Sequence, residues 1–198
     1  MAEINNTAFE VKVSNHEFDS VANITGLFQN ASNEAEACAA GFLCVTDALV
    51  QNEGYPAGVL NGNTWIMKTA GNVLLPGTPV YACNTFNVNE ITDPVTGEVY
   101  KVNVNTLGLP IPAGKLGTYT RIDFTGDCIY RFGVGNFTAA PEVGTSYVIN
   151  NGMLAPVGEG QNVTPGSGAR LFTVLRTGTF TQGAWAAFGY ADVKAIKA

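Results

Sequence analysis

Charge is scarce in this chain, and the scarcity excludes several functions. Only 13% of the 198 residues are charged, against about 25% in ordinary globular domains. Lys and Arg total 10, scattered along the chain, against 16 Asp and Glu, for a formal net charge of −6. Nucleic-acid binding needs clustered cations to displace phosphate counterions, so no nucleic-acid partner is expected. An anionic membrane surface is disfavoured for the same reason. No apolar run is long enough to span a bilayer, so no membrane partner is expected either. The opening stretch, MAEINNTAFEVKVSN, carries Glu3 and no apolar core of a signal peptide. Synthesis and folding in the cytosol are therefore the expectation.

Histidine is nearly absent. His16 stands alone in a polar stretch between Asn15 and Glu17. A catalytic base must be held by supporting groups, and none is suggested around it, so it reads as a solvated surface histidine. Cysteines number four, Cys38, Cys44, Cys83 and Cys128, without C-x-x-C spacing. A cytosolic chain argues against disulfides. With a single histidine no zinc site is expected. The four thiols read as small buried hydrophobes.

The remaining chemical signatures are equally thin. Asp123 and Asp127 read as flanking one hairpin, and Glu90, Asp93 and Glu98 as turn residues, not a carboxylate pair facing a cleft. GEGQNVTPGSG has glycines but no P-loop lysine and no strand–glycine–helix setting. DPVTGE and TGD offer at most two oxygens each, too few for a calcium loop. The sequence thus proposes no catalytic residue, no metal ligand and no cofactor, and the chain is not expected to be an enzyme.

What is present is strand and turn. Hydrophobic residues make up 46% of the chain and aromatics 10%, a globular composition. Its surface polarity must come mainly from Asn, Thr, Ser and Gln, which suits a protein packed against other protein. Phe9, Val11 and Val13 alternate with Glu10 and Lys12 as one short strand, followed by polar turn formers. Such a terminal strand pairs either with its own sheet or with a neighbour. NASNEAEACAAG (Asn30 to Gly41) reads two ways, as a short helix capped by Ser32 or as an extended lead-in to the strand beginning at Phe42.

Strands dominate from there. Turns are expected at Asn61–Asn63, at Pro76-Gly77 between Val73–Leu75 and Val80–Cys83, and at Asp93–Gly97 ahead of Val99–Val104. A further hairpin joins Tyr119–Phe124 to Cys128–Phe132 through Thr125-Gly126-Asp127. EVGTSYVINNGMLAP turns on Asn150-Asn151-Gly152 between two apolar strands. Turn signals about every ten residues mark an all-β sandwich or barrel. A short echo between Gly41–Val45 and Gly144–Val148 supports a division into an arm (1–20), a first β lobe (21–110) and a second β lobe (111–198). The fold expected is all-β: short antiparallel strands in one or two small barrel or sandwich lobes, with an N-terminal strand arm.

Trp65 and Trp185 admit two readings, packing in a core or interface or stacking on sugar as in a carbohydrate-binding module. The residues assigned to an interface with other subunits are Phe9, Val11, Val13 and Trp65.

IPAG at Ile111–Gly114 and VGTSYVINNGMLAP at Val143–Pro156 carry a resemblance. Together with VYACNTF and GDCIYRFG, they resemble phrases of capsid decoration (cement) proteins from tailed bacteriophages of Gram-positive bacteria. The resemblance covers roughly Gly41 to Ala195. It implies a structural virion protein on the capsid surface, made in the host cytoplasm. Such a protein would assemble as a homotrimer and stabilise an icosahedral shell by bridging major capsid subunits. The alternatives are a tail-tube or head-fibre subunit, or the carbohydrate-binding module.

Overall fold

The computed structural model describes residues 7–13, 23–50, 64–84, 90–92, 99–101, 110–158, 168–182 and 185–198. Among these residues it is all-β, without an α-helix. The strands are β1 (Phe9–Val13), β2 (Asn23–Phe28), β3 (Leu43–Leu49), β4 (Thr64–Thr69), β5 (Tyr81–Cys83), β6 (Glu90–Thr92) and β7 (Val99–Lys101). They continue as β8 (Leu116–Arg121), β9 (Thr125–Gly133), β10 (Ser146–Asn150), β11 (Met153–Pro156), β12 (Arg170–Gln182) and β13 (Trp185–Lys197).

Five strands close a small barrel in the order β2-β4-β3-β5-β8, with β2 and β4 parallel and every other pair antiparallel. Six strands form a second sheet, β1-β9-β13-β12-β10-β11, antiparallel throughout. β6 and β7 pair as a separate ribbon in the register expected of a hairpin, Glu90 opposite Lys101 and Thr92 opposite Val99. The Asn61–Asn63 and Asp93–Gly97 turns lie outside the described residues.

Period-two alternation explains how two cores share one set of strands. On β3, Leu43 points out of the barrel and Cys44 into it; on β5, Ala82 points out and Tyr81 and Cys83 point in. The outward set joins Tyr130, Phe132, Phe172, Val174, Ala191 and Val193 in the layer between barrel and sheet. The inward set joins Phe28, Met67, Ile111 and Tyr119 inside the barrel. Strands buried on both faces read as continuous apolar runs, as LCV and YAC do here. The barrel interior is full: a Cβ on Gly26 of β2 would lie 2.4 Å from Met67 Cγ.

The hairpin β10–β11 fastens the two layers. Its turn is Asn151-Gly152, both at positive φ (47° and 78°), the pair of conformations a two-residue type I′ turn requires. The turn docks on the barrel end. Leu43 N donates to Gly152 O (2.8 Å) and Gly152 N to Ala70 O (2.9 Å). A Cβ on Gly152 would sit 2.2 Å from the Phe42 ring, so glycine is demanded twice, by φ and by space. The second fastener is buried Asn136, whose Oδ1 accepts from Ala8 N (3.1 Å) while its Nδ2 donates to Ala40 O (2.8 Å).

Several local expectations change. Thr125-Gly126-Asp127 is no hairpin turn: β8 and β9 do not pair, because the chain leaves the barrel at Ile122–Phe124 and enters the other sheet. Ile111–Arg121, placed by sequence with the second lobe, belongs with the barrel, and β1 belongs with the sheet of β9–β13. Val73–Leu75 is loop, since the return strand begins only at Tyr81. Segment 30–41 is not helical. Asn30 Oδ1 accepts from the backbone N–H of Ser32 (2.9 Å) and Glu34 (3.0 Å), which offers these donors an alternative to a helix. Asn33 stands at φ 64°, and Cys38 bridges to Ile111.

Candidate functional site

The residues assigned to an interface do not gather in one place. β1 pairs with β9, so the arm lies on its own sheet, the first of the two pairings open to it. Phe9 is only 6% exposed and packs on Tyr130 and Phe132, with ring centroids 6.0 and 5.2 Å away. Within this chain it is a core residue, because β-strand alternation turns it to the apolar face. Val11, on the sheet's edge strand, is 40% exposed. Val13 pairs with Ile129 across a register shift. Trp65 is half-buried on β4 and packs against the barrel core, an environment that suits a packing aromatic. His16 lies outside the described residues, as does the side chain of Trp185.

The outer face of the large sheet carries a charge network that the sequence did not announce. Arg131 grips Asp192 with two hydrogen bonds, Nε to Oδ1 at 2.7 Å and Nη2 to Oδ2 at 3.0 Å. Arg176 Nε donates to the same carboxylate, sharing Oδ2 with Arg131 Nη2. The Arg131 guanidinium lies over the Tyr190 ring at 3.8 Å, with Glu10 Oε2 3.9 Å from Nη1. Asp192 is 2% exposed. Burial alone would raise its pKa, but the hydrogen bonds and charges of Arg131 and Arg176 outweigh that and hold it below the usual aspartate value. These side chains stand across β1, β9, β13 and β12, neighbours in space but distant in sequence. The arrangement staples strands, and its carboxylate is fully engaged.

Among the described residues, the most exposed aliphatic side chains lie elsewhere. Val73 is 85% and Leu75 76% exposed, on the loop between β4 and β5. Leu74 between them packs against the main core. The loop is held at several points. Asn72 Oδ1 accepts from Asn151 N (3.0 Å), Thr78 O accepts from Arg170 Nη2, and Thr78 N donates to Leu75 O (3.1 Å) across the Pro76-Gly77 turn. Val143, also exposed, occupies a turn tied to β12 by Gly144 N donating to Val174 O (2.8 Å). Sequence reasoning missed Val73 and Leu75 by reading VLL as a strand. The signal was present: three apolar residues closely bracketed by the turn formers Gly71-Asn72 and Pro76-Gly77 fit a loop as well as a strand of minimal length.

Among the described residues no group of His, Cys, Asp or Glu is arranged to hold a metal ion, and no helix is long and apolar enough to cross a membrane. No protein-family model matches the chain, and neither a curated protein nor a solved structure shows significant similarity to it.

Proposed function

We propose that this chain is a structural protein of a virion, one that acts by gripping other protein subunits. Within that class we assign it to capsid decoration: it sits on an icosahedral shell and bridges major capsid subunits, as a homotrimer. The observation that carries the reading is the pair Val73 and Leu75, exposed on a pinned loop of a chain with few charges. Apolar side chains held out on an ordered loop lose little entropy on being covered, which favours contact with another protein. Symmetric repetition over a shell would multiply such modest contacts.

The test is co-sedimentation of the purified protein with bare shells of its phage. Wild type is expected to pellet with them. Val73→Asp with Leu75→Asp should weaken retention by about 10²- to 10⁴-fold, since burying each aliphatic is worth about 1.5–3 kcal/mol. Thermal stability should be unchanged in the same variant. A wild-type protein that never binds shells defeats the proposal. Spontaneous assembly into rings or filaments without shells would favour the tail-tube reading instead.

A further inference from the structure

Three of the four cysteines converge inside the barrel. Cys38, Cys44 and Cys83 are all buried there with Tyr119. The Sγ atoms of Cys38 and Cys44 are 4.0 Å apart. A disulfide needs about 2.05 Å, so a side-chain rotation and a small backbone shift would close the gap. The two cysteines are differently held. Cys44 is fixed in β3 between β4 and β5, opposite Thr69 and Tyr81. Cys38 sits outside the regular strands, tied by reciprocal backbone bonds to Ile111 (2.9 and 2.8 Å). Each thiol also has a backbone carbonyl in reach, Asn84 O (3.4 Å) or Cys38 O (3.6 Å) for Cys83 Sγ, Phe42 O (3.7 Å) for Cys44 Sγ and Ala39 O (3.9 Å) for Cys38 Sγ, so the 4.0 Å contact between the Cys38 and Cys44 sulfurs is what selects that pair.

Two further observations mark this place. The Tyr119 hydroxyl is fully buried and has no hydrogen-bond partner among the described residues. A native interior rarely leaves such a group orphaned without a reason. The residues flanking Cys38, Ala37 and Ala39, line an open groove of about 480 Å³ together with Phe28, Ala31, Phe42 and Asn151. Cys38 itself is buried and does not line the groove, so a small oxidant reaches its sulfur only when the 37–39 segment moves aside.

We propose that Cys38 and Cys44 are a thiol–disulfide modification site, oxidised by a small hydroperoxide such as hydrogen peroxide. The Cys38 thiolate attacks one peroxide oxygen, the O–O bond breaks, and hydroxide leaves and takes up a proton to become water. Cys38 becomes a sulfenic acid. The Cys44 sulfur then attacks Cys38 Sγ, the S–O bond breaks, and the hydroxyl leaves as a second water with the Cys44 proton. In sum two thiols and one peroxide give one disulfide and two waters. The direction of attack follows from the surroundings. The neighbouring thiols of Cys44 and then Cys83 stabilise a thiolate on Cys38, whereas burial pushes the Cys44 and Cys83 thiols up. The bond would pin the 31–42 segment to β3 across the barrel end.

This inference does not depend on the virion reading, and its test uses the purified full chain without a shell. Native protein is treated with hydrogen peroxide, quenched, and examined by intact mass and peptide mapping. The expected result is a loss of two hydrogens, about 2 Da, with a single Cys38–Cys44 link that dithiothreitol reverses. Cys83→Ala should still form it. Cys44→Ala should instead leave a Cys38 sulfenic acid that dimedone labels; should that variant fail to fold, Cys44→Ser serves. Four intact thiols after native treatment, or a link that includes Cys83, would overturn the assignment.

Discussion

Removing the Asp192 carboxylate is the sharpest probe of the large sheet. Asp192→Ala leaves Arg131 without its bidentate partner in a setting where the Arg131 side chain is 10% exposed. Breaking one side of a buried ion pair costs about 3–5 kcal/mol. Glu10, 3.9 Å from Arg131, and the Tyr190 face offset part of that. The Arg176 contact adds little, about 0–1 kcal/mol, because its side chain is 65% exposed. A net loss of about 3 kcal/mol is expected, which for a chain of this length lowers Tm by about 6–12 °C. Differential scanning calorimetry reads it directly. The double variant Asp192→Ala with Arg131→Met should recover much of the loss, since an apolar pair replaces a buried charge left alone. The pH profile provides an independent check. A carboxylate whose folded pKa is depressed stabilises in full above its unfolded value, about 3.9. That stability disappears as pH falls through the lower folded value. Wild type should therefore lose stability steeply below about pH 4, and Asp192→Asn should lose part of that slope. A Tm for Asp192→Ala within 2 °C of wild type, an effect of under about 1 kcal/mol, would refute the reasoning.

Other substitutions probe the joint, the arm and the barrel. Gly152→Ala places a methyl in the Phe42 ring and forces an L-residue to φ 78°; a loss of about 2–4 kcal/mol in urea unfolding is expected. Phe9→Ala should cost about 3–5 kcal/mol by the same assay. Deleting residues 1–13 should likewise destabilise the fold, and a deletion with unchanged stability would show that β1 is dispensable to its sheet. Tyr119→Phe removes a buried hydroxyl that has no hydrogen-bond partner among the described residues. Its Tm should equal or exceed that of wild type, with a gain of up to about 1 kcal/mol.

The loop that carries Val73 and Leu75 shows how surface detail escapes a sequence reading. VLL between two turn signals looks like strand, yet only Leu74 reaches the core, while Val73 and Leu75 stay outside. The choice was made by Asn151 and Arg170, which tie the loop from 79 and 92 residues away. The interface residues fared similarly. Alternation identified Phe9 as apolar-facing, but the face it joined was the chain's own core.

The amino-acid order by itself determined the all-β class and the Asn151-Gly152 turn between two apolar strands. Turn chemistry and alternation are local, and four to eight residues carry the whole signal. Only the tertiary structure decided that β8 closes a barrel while β9, four residues on, joins a different sheet. It also decided that Cys38, Cys44 and Cys83 meet, and that Arg131 finds Asp192 at a separation of 61 residues. Such partners are selected by which faces can be buried together once every strand is placed. That competition is summed over the whole chain, and no short window of residues records its outcome.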